Sequence, residues 1–460
     1  HVGARGEGHR IVEQAGGVVR LFPAIPQGAT PIRAVNFDLD SGFYPLGSCT
    51  MKYNPKILET VAAMKGFSEL HPFLPQLRHG GMLVQGALQV LYELERLLCE
   101  VAGMEAFTLQ PLAGAHGELT GMMLIAAYHR DHGHAKTEVI IPDEAHGTNP
   151  ASAAIAGYTT HAVPTHPDTG MLDLKALEAA VTDRTAAIML TNPNTLGIFN
   201  TEIRKVVEIA HRRGALVYYD GANLNAVLGK FRPGDAGIDV MHINLHKTFA
   251  TPHGSGGPGA GPVGVARHLL DYLPISRVVK RKDNTYALEY DFPKSIGYIA
   301  PFYGNFSVCL RAYVYLLLLG GPGLVEVSEN AVLNANYMMN ALKGTFDLPF
   351  DRPCMHEFVL STKKQMEFGV QAIDVAKGLI DEGFYPPTVY FPLIVKEAMM
   401  VEPTETESKE TLDAFIAAMK RVAAKAASSP QSLHDAPTST PVSRPDEVKA
   451  ARDMDFAYKG

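Results

Sequence analysis

The chain has 460 residues, with 41 Lys or Arg against 48 Asp or Glu, and its formal net charge at pH 7 is −7. A chain of this length buries a large core and is expected to form two domains. The small negative charge gives no electrostatic reason to expect nucleic acid or an anionic membrane as a partner. The longest strongly apolar run, at 314–319, is too short to span a bilayer.

The cysteines indicate the compartment. There are four, Cys49, Cys99, Cys309 and Cys354, and no Cys-x-x-Cys pair occurs. This usage argues against a disulfide framework or a zinc knuckle. We therefore expect a cytoplasmic protein in which thiols such as Cys49 and Cys354 are inert.

The first 270 residues predict an arm followed by an α/β domain. Residues 1–70 contain Pro and Gly but few periodic stretches, and an extended N-terminal arm of this kind often packs on a neighbouring subunit. A helix is predicted at 83–101. Short apolar runs then alternate with helical stretches, which predicts a mostly parallel sheet flanked by helices. The apolar runs are 138–141, 186–190, 215–219 and 240–245, and the helical stretches are 117–130, 173–181 and 201–213.

The rest of the chain predicts a smaller α+β domain. Its predicted helices are 306–319, 324–342, 371–383 and 410–427, and its predicted strands are 356–360 and 399–401. Residues 428–444 are rich in Ser, Pro and Thr, which predicts an irregular tail. The predicted division is an N-terminal arm (1–70), a large domain (71–315), a small α+β domain (316–427) and an irregular C-terminal tail (428–460).

Lys247 and Asp220 carry the first chemical signal. Asp220 ends a predicted buried strand, and Lys247 follows a later apolar run, in Asn-Leu-His-Lys-Thr-Phe. A lone Lys is usually solvated and a lone Asp often caps a helix, so the discriminating feature is their order. Pyridoxal phosphate chemistry needs this pair: the amine forms a Schiff base with the cofactor aldehyde, and the carboxylate keeps the pyridine nitrogen protonated.

A phosphate site is predicted near residue 114. Gly114 and Ala115 open a predicted helix, whose backbone amides and dipole favour an anion. His116 belongs to the same segment, and His246 precedes Lys247 and is placed to donate to the same phosphate. The alternative is an ordinary tight turn at a helix start.

Four residues are candidates for contact with the cofactor ring. His146 follows the predicted strand at 138–141 and is placed to stack on the pyridine ring. Thr191 and Asn194 follow another strand, where a hydroxyl or amide group suits the phenolic oxygen of the cofactor. Ala222 lies in a turn of small residues, where the backbone can approach the ring.

Two further patterns imitate functional motifs. Residues 254–259 match Gly-x-Gly-x-x-Gly, but they lead into a short strand rather than a helix, which argues against a dinucleotide site. His129, His132 and His134 have a metal-like spacing at a polar helix end, where we expect a solvated cluster. No metal is predicted.

Several segments together resemble the glycine decarboxylase P protein. They are Leu-Gly-Ser-Cys-Thr-Met-Lys (46–52), Asp-Glu-Ala-His-Gly-Thr-Asn-Pro (143–150), Asn-Leu-His-Lys-Thr-Phe (244–249), Gly-Pro-Gly-x-Gly-Pro-Val-Gly-Val (257–265) and Arg-Pro-Asp-Glu-Val-Lys-Ala-Ala-Arg (444–452). The resemblance runs from about residue 30 to residue 452. Single-chain members are about twice as long, so this chain resembles their C-terminal, lysine-bearing half, which is the second subunit of the two-subunit form.

The resemblance implies an α/β fold of fold-type I, the aspartate aminotransferase type, with pyridoxal 5'-phosphate bound covalently. It implies that Lys247 is the Schiff-base lysine, Asp220 the pyridinium partner, His146 the stacking residue, and Gly114 with Ala115 the phosphate cradle. Where many relatives have Gln, this chain has His116.

The resemblance also implies an activity and partners. The activity is decarboxylation of glycine, with release of CO2 and transfer of the aminomethyl group to the lipoyl arm of the H protein. The implied partner is a homologous first subunit that lacks the lysine, in a heterotetramer of two such pairs.

Two other interpretations stay open. One is a different fold-type I enzyme, an aminotransferase or another amino acid decarboxylase. The other is a catalytically silent scaffold subunit, against which the presence of both Lys247 and Asp220 argues. The residue that holds the glycine carboxylate is also open, with Thr50, His71, His253 and the partner subunit as candidates.

Overall fold

The structure is a computed structural model that describes residues 39, 42–71, 74–76, 80–251 and 257–454. Most of the predicted N-terminal arm, His253 and the first half of the glycine pattern at 254–259 lie outside these residues. The described part of the arm contains two short helices, α1 (Lys56–Ala62) and α2 (Lys65–Ser68). Packing of the arm on a neighbouring subunit stays a prediction.

The large sheet confirms the α/β class. Its strands are β1 (Ala106–Thr108), β2 (Glu138–Pro142), β3 (Thr159–Val163), β4 (Thr185–Thr191), β5 (Leu216–Gly221), β6 (Val240–Ile243) and β7 (Val263–Val265). They lie in the order β1-β7-β6-β5-β4-β2-β3, and only β7 is antiparallel to its neighbours. Strands β2, β4, β5 and β6 are buried almost throughout. Continuous apolar runs are typical of strands covered on both faces.

Helices connect the parallel strands, so that the carboxyl ends of β2, β4, β5 and β6 meet at one edge of the sheet. The helices of this domain are α3 (Gln85–Ala102), α4 (Gly114–Asp131), α5 (Thr148–Ile155), α6 (Leu174–Ala180) and α7 (Ile203–Arg212). Asp173 caps α6 by accepting hydrogen bonds from the amides of Lys175 and Ala176. The predicted helices in this region are confirmed, with ends that differ by up to three residues.

Helix α8 (Phe306–Leu342) joins two helices that the sequence predicted separately. It bends at Gly320, whose φ of 58° and ψ of −175° are not helical. By length and composition alone this helix passes for a membrane span, although the run at 314–319 does not. Its buried residues instead join the two main cores: Val308 and Ala312 pack in the first, and Ala335 and Met338 in the second. The predicted boundary at residue 315 falls inside this helix.

The second core belongs to a small α+β unit. Its strands are β10 (Phe358–Ser361), β11 (Thr388–Val389) and β12 (Ala398–Val401), which form an antiparallel sheet in the order β10-β12-β11. The helices of this part of the chain are α9 (Ala372–Asp381), α10 (Lys409–Ser428), α11 (Pro430–His434) and α12 (Glu447–Arg452). Leu46 bridges to Val401, so the N-terminal segment docks on this sheet. The prediction of an irregular C-terminal tail (428–460) missed two short helices. One is α11, which Pro430 starts and in which Leu433 is buried, and the other is α12, which Asp446 caps.

Two kinds of regular element were not predicted. Strands β8 (Arg277–Lys280) and β9 (Tyr286–Glu289) form an antiparallel hairpin. Short 3-10 helices occur at Leu74–Gln76, Gly80–Leu83, Pro233–Ala236, Arg267–Tyr272 and Gln365–Phe368. The side chain of Gln85 fixes the hairpin to the start of α3 through the backbone of Tyr286.

Candidate active site

A cavity of about 210 Å³ lies at the edge of the large sheet where the parallel strands end. Its walls also include Ser48 from the N-terminal segment and His356 and Glu357 from the small domain. Ten residues were predicted to form the site, and eight of them line this cavity: Gly114, Ala115, His146, Thr191, Asp220, Ala222, His246 and Lys247.

Asp220 lies near the end of β5 with an exposed fraction of 4%. Its Oδ2 accepts a hydrogen bond of 2.9 Å from Asn149 Nδ2, and its Oδ1 accepts one of 3.0 Å from the amide of Ala222. Burial alone would raise the pKa of Asp220, but His242, these two hydrogen bonds and Lys247 together lower it. The carboxylate therefore stays ionised, which a pyridinium partner requires.

Lys247 reaches the same cavity from the loop after β6, the strand that pairs with β5 in parallel. In that register Asp220 lies opposite His242. Asp220 and Lys247, which are 27 positions apart in the sequence, thus lie at the ends of two adjacent strands. This is the edge at which ligands bind in open α/β sheets.

The start of α4 forms one end of the cavity. A Cβ on Gly114 would lie 2.6 Å from Nδ2 of Asn244, and one on Gly117 would lie 2.6 Å from the carbonyl oxygen of Gly261. These glycines let the helix N-terminus approach the loop that carries Lys247. The unpaired amides and dipole at the start of such a helix favour a phosphate.

His246 also lines this end of the cavity. Its Nδ1 accepts a hydrogen bond of 3.2 Å from the amide of Ala260. In the neutral ring this contact assigns the proton to Nε2, which is therefore the donor nitrogen. The predicted role of His246 as a phosphate donor fits this tautomer.

Two of the predicted side-chain contacts do not fit the geometry. Nδ1 of His116 accepts the amide hydrogen of Leu112 at 3.2 Å, so the ring faces the backbone before α4 and does not line the cavity. Oδ1 of Asn194 accepts hydrogen bonds from the amides of Leu196 and Ile198 and closes a turn. Both side chains are held by nearby backbone groups, which compete with any ligand for their polar atoms.

Thr191 offers an unused polar atom. Its hydroxyl is buried and has no hydrogen-bond partner within the described parts of the chain. A buried polar group without a partner is costly, unless a ligand supplies one. Since Thr191 lines the cavity, its hydroxyl fits the predicted contact with a ring oxygen.

His146 stands at the mouth of the cavity and is exposed. Its Nδ1 lies 2.7 Å from the hydroxyl of Thr148, which donates to Oε1 of Glu118 at 2.7 Å. On its other side the ring of Phe391 meets it edge-on, with centroids 5.7 Å apart. These contacts orient the imidazole over the cavity opening, where the sequence placed a stacking residue.

The sequence did not indicate the buried acids around the cavity. Glu118, on α4, accepts hydrogen bonds from Thr148, Asn149 and Ser152. It thereby ties α5 to the wall that holds Asp220. The only available signal was one acidic residue in a helix start made of small residues.

Glu357 is the second acid that the sequence did not indicate. It lines the cavity, and its Oε2 accepts a hydrogen bond of 2.7 Å from the amide of Ser48. The sequence does contain one signal that could have identified it. His356 and Glu357 stand side by side at the start of the predicted strand 356–360, and two such polar residues are rarely buried together.

The candidates for holding a substrate carboxylate are now partly resolved. The amide and hydroxyl of Thr50 both donate to Glu402, so neither is available to a ligand. His71 is exposed and does not line the cavity. His253 lies outside the described residues.

The histidine cluster differs from its prediction. His129 is buried, with an exposed fraction of 2%, and its Nε2 lies 2.9 Å from the carbonyl oxygen of Ala186. Only His132 and His134 are exposed, as a solvated cluster requires. His129 is therefore a core residue that fixes α4 to β4.

Sequence comparison identifies the family. A model described as "Glycine dehydrogenase, C-terminal domain" matches residues 327–442, and the DegT/DnrJ/EryC1/StrS aminotransferase family model matches residues 74–228. The probable glycine dehydrogenase (decarboxylating) subunit 2 of Bacillus licheniformis is 56% identical over 94% of this chain and 87% of its own length. The chain belongs to this family. The subunit 2 proteins of Listeria innocua and Caldanaerobacter subterraneus are each 55% identical, over 92% and 91% of this chain and 86% and 85% of their own lengths.

Solved structures agree in fold. An inhibitor-bound glycine decarboxylase (P-protein) of the glycine cleavage system matches with a TM-score of 0.69 at 21% identity, over 92% of this chain and 96% of its own. The cysteine desulfurase CsdA from Escherichia coli matches with a TM-score of 0.62 at 15% identity, over 82% and 94%. These matches confirm fold-type I, and the resemblance to the glycine decarboxylase family is confirmed by the subunit 2 relatives.

Pyridoxal phosphate is the cofactor of this glycine dehydrogenase family, and the cavity fits it. The glycine-lined start of α4 suits its phosphate, the ionised Asp220 suits its ring nitrogen, and the unpartnered hydroxyl of Thr191 suits its ring oxygen. Lys247 supplies the amine that such a cofactor needs.

Proposed function

We propose that this chain decarboxylates glycine, releases CO2 and transfers the remaining aminomethyl group to the lipoyl arm of an H protein. The observation that carries this proposal is that Lys247 and Asp220 line one cavity, in a chain whose relatives are named glycine dehydrogenase (decarboxylating) subunit 2. Bound through Lys247, the cofactor would supply an electron sink for the carbon that loses CO2.

Each of the cavity residues named below has a separate role in the proposed reaction. Asp220 would pair with the ring nitrogen of the cofactor and hold a proton there, because its carboxylate is kept ionised. The amides of Gly114 and Ala115 bind the phosphate. His146, which lines the cavity, would contact the cofactor ring. Lys247 would hold the cofactor through its amine, and the same amine, when it is not bound to the cofactor, would accept a proton inside the cavity.

Borohydride trapping tests the proposal. Protein incubated with pyridoxal phosphate is reduced, digested and mapped, and a phosphopyridoxyl label on Lys247 is expected. Lys247→Ala should lose both the label and glycine–bicarbonate exchange, whereas the surface control Lys175→Ala should keep both. A label scattered over surface lysines, or substantial exchange by Lys247→Ala, would contradict the proposal.

We also propose that the working enzyme pairs this chain with a homologous first subunit that lacks the lysine, in a heterotetramer of two pairs. The designation "subunit 2" in the relatives' names supports a partner subunit. Co-expression followed by mass measurement in solution tests the assembly. Transfer of label from glycine to lipoylated H protein tests the acceptor, and a complex that transfers the label without any first subunit would contradict the pairing.

The match to an aminotransferase family model at residues 74–228 supports one competing candidate, transfer of the amino group to a 2-oxo acid. An aminotransferase leaves pyridoxamine phosphate behind when it is given an amino acid alone. Glycine decarboxylation without accumulation of pyridoxamine phosphate is expected, and the reverse result would favour the aminotransferase.

A cytoplasmic location is part of the proposal. It is supported by the four cysteines, all of which are free thiols. A reducing compartment keeps thiols in this state. Cell fractionation tests it, and recovery with the membrane fraction would contradict it.

A further inference from the structure

His356 brings an unused ring nitrogen to the wall of the cavity. It lines the cavity together with Lys247, and it is buried, with an exposed fraction of 2%. Its Nδ1 has no hydrogen-bond partner within the described chain, and its Nε2 lies 3.8 Å from Oε1 of Glu357, which is too long for a hydrogen bond. A buried polar group of this kind is costly, unless a ligand in the cavity supplies its partner.

The backbone around His356 is held against the large domain. The amide of Met355 donates a hydrogen bond of 2.7 Å to the carbonyl oxygen of Gly197. A Cβ on Gly197 would lie 1.8 Å from the carbonyl oxygen of Glu357, so the chain is in close contact on both sides of His356. A side chain on a backbone held in this way loses little further freedom when it binds a ligand.

The imidazole of His356 is neutral. Burial lowers its pKa, and this effect is larger than the raising effect of Glu402 and the lowering effect of Lys247. A neutral imidazole still carries one N–H group, which binds well to a negatively charged acceptor. The ring therefore offers an anion a hydrogen bond without a full positive charge.

Two acids lie beside this imidazole. One oxygen of Glu357, one of Glu402 and a ring nitrogen of His356 all lie within 4.8 Å of one another. Glu402 accepts hydrogen bonds from the amide and hydroxyl of Thr50 and from the side chain of Asn223. Burial raises the pKa of Glu357, and Glu402 raises it further, so the neutral form of Glu357 is favoured. An anion at the ring thus meets one acid whose charge is shared with three donors, and a second acid that favours its uncharged form.

Other donors on this wall already have acceptors. The amide of Ser48 donates to Glu357 at 2.7 Å. The side-chain amide of Asn223 donates to the carboxylate of Glu402 and to the hydroxyl of Thr50. The hydroxyl of Ser48 is the remaining alternative to the ring of His356, since Ser48 also lines the cavity.

We propose that His356 binds the carboxylate of the substrate glycine through its ring N–H group, an inference that rests on the proposed function of this cavity. The amine and the carboxylate of glycine are joined through one carbon atom. A donor to the carboxylate must therefore lie in the same cavity as Lys247, as His356 does. The glycine-lined start of α4 is left for the phosphate of the cofactor.

A neutral donor suits a carboxylate that is to leave as CO2. The negative charge of the carboxylate disperses as the bond to CO2 breaks, so a contact that is stronger in the ground state than in the transition state slows the reaction. The charged, bidentate guanidinium of an arginine would form such a contact. A single imidazole N–H orients the carboxylate and holds its charge less strongly.

The binding of two amines to the cofactor-loaded full chain tests the proposal. Glycine carries a carboxylate and methylamine does not, and the absorbance of the bound cofactor reports the binding of both. His356→Leu should weaken glycine binding roughly tenfold or more, the effect of losing a hydrogen bond to a charged group, and should change methylamine binding by less than about twofold. His356→Gln keeps a side-chain N–H group and should recover part of the loss.

Three further variants complete the comparison. His161→Gln, which replaces an exposed histidine, is the control and should change neither affinity. Circular dichroism checks folding, and His356→Phe, which also lacks a donor, replaces His356→Leu if that variant does not fold. An equal loss of both amines would overturn the proposal, because a packing role alone affects both. So would a glycine-specific loss in Ser48→Ala that the His356 variants do not show.

A measurement without cofactor separates this proposal from the proposed function. Histidine ring carbons of the full chain are labelled with carbon-13, and the signal of His356 is assigned by its loss in His356→Gln. Sodium acetate should shift that signal, whereas methylammonium chloride should not, and the signal of His161 should stay in place with both. Absence of any acetate effect on His356 would overturn the proposal. Failure of pyridoxal phosphate to label Lys247 would instead refute the proposed function, and the acetate titration would still decide whether His356 binds a carboxylate.

Discussion

Nε2 of His242 lies 3.5 Å from Oδ1 of Asp220, and both side chains are buried. Nδ1 of the same imidazole lies 2.7 Å from the hydroxyl of Tyr218. The other carboxylate oxygen of Asp220 accepts a hydrogen bond from Asn149. The carboxylate proposed to face the cofactor is thus fixed from two sides, by a neighbouring strand and by α5.

Replacing Asp220 removes the partner of the ring nitrogen. We expect Asp220→Ala to bind cofactor but to decarboxylate glycine roughly a hundredfold more slowly, since a hydrogen bond to a charged group contributes about 1.5–3 kcal/mol. Steady-state rates measured with the cofactor bound test this expectation. Near-normal turnover would refute the role of Asp220.

Asn149→Ala leaves Asp220 in place but removes the hydrogen bond of 2.9 Å to its Oδ2. The pKa of Asp220 should rise, because that bond favours the ionised form. A roughly tenfold slower reaction is expected, the effect of about one pKa unit. The pH below which the reaction rate falls should also be higher in this variant than in the wild type. Asn340→Ala, on an exposed face of α8, is the control and should change neither quantity.

Gly197 links the large domain to the chain around Glu357. Its φ is 74°, and a Cβ there would lie 1.8 Å from the carbonyl oxygen of Glu357. Gly197→Ala should therefore lower the free energy of unfolding by roughly 3 kcal/mol or more, since backbone must move. Gly133 has a similar φ of 68°, but a Cβ there would have nothing within 4 Å. Gly133→Ala should therefore lower the free energy of unfolding by only about 1–2 kcal/mol. Equal effects in urea denaturation would show that the contact with Glu357 does not matter.

Lys52 is buried, with an exposed fraction of 2%, and its Nζ lies 2.7 Å from Oε1 of Glu405 and 3.0 Å from Oδ1 of Asn225. Lys52→Met should lower the free energy of unfolding by about 3 kcal/mol, because it leaves the largely buried carboxylate of Glu405 without its charged partner, with only neutral donors such as Asn225. The double variant with Glu405→Gln should recover part of that loss. Lys65→Met, which breaks an exposed pair, should have little effect. No recovery in the double variant would refute this account.

The pair His211 and Asp239 predicts a pH dependence of stability. Nε2 of His211 lies 2.8 Å from Oδ2 of Asp239, and this hydrogen bond raises the pKa of His211. A raised folded-state pKa means that the contribution is complete below the unfolded value of about 6.5 and is lost as pH rises through the folded value. In His211→Gln, the free energy of unfolding should fall less as the pH rises from about 6.5 through the folded-state pKa of His211. Urea denaturation at several pH values measures this difference. An unchanged slope would count against the pair.

The meeting of Lys247 and Asp220 in one cavity was predictable because each follows a strong apolar run, and parallel strands bring their ends to one edge of the sheet. The start of α4 was predictable for a similar reason, since Gly114 and Ala115 stand where a helix opens. These signals are local and need no knowledge of tertiary contacts.

Glu357 and Ser48 were beyond this reasoning, because they meet the cavity only when the small domain and the N-terminal segment dock on the large one. His116 and Asn194 were misassigned for the opposite reason. Their side chains are held by backbone groups a few residues away, a geometry that the residue type does not reveal.

The cavity draws its walls from chain positions as distant as Ser48 and Glu357, so the unfolded chain has no equivalent site. A molecule that binds only the folded form stabilises it by mass action, by about 2.7 kcal/mol at a hundredfold excess over its Kd. The melting temperature of this protein should therefore rise with cofactor concentration. Vitamin B6 supply would then set how much of the protein survives in the cell, in addition to how much of it works.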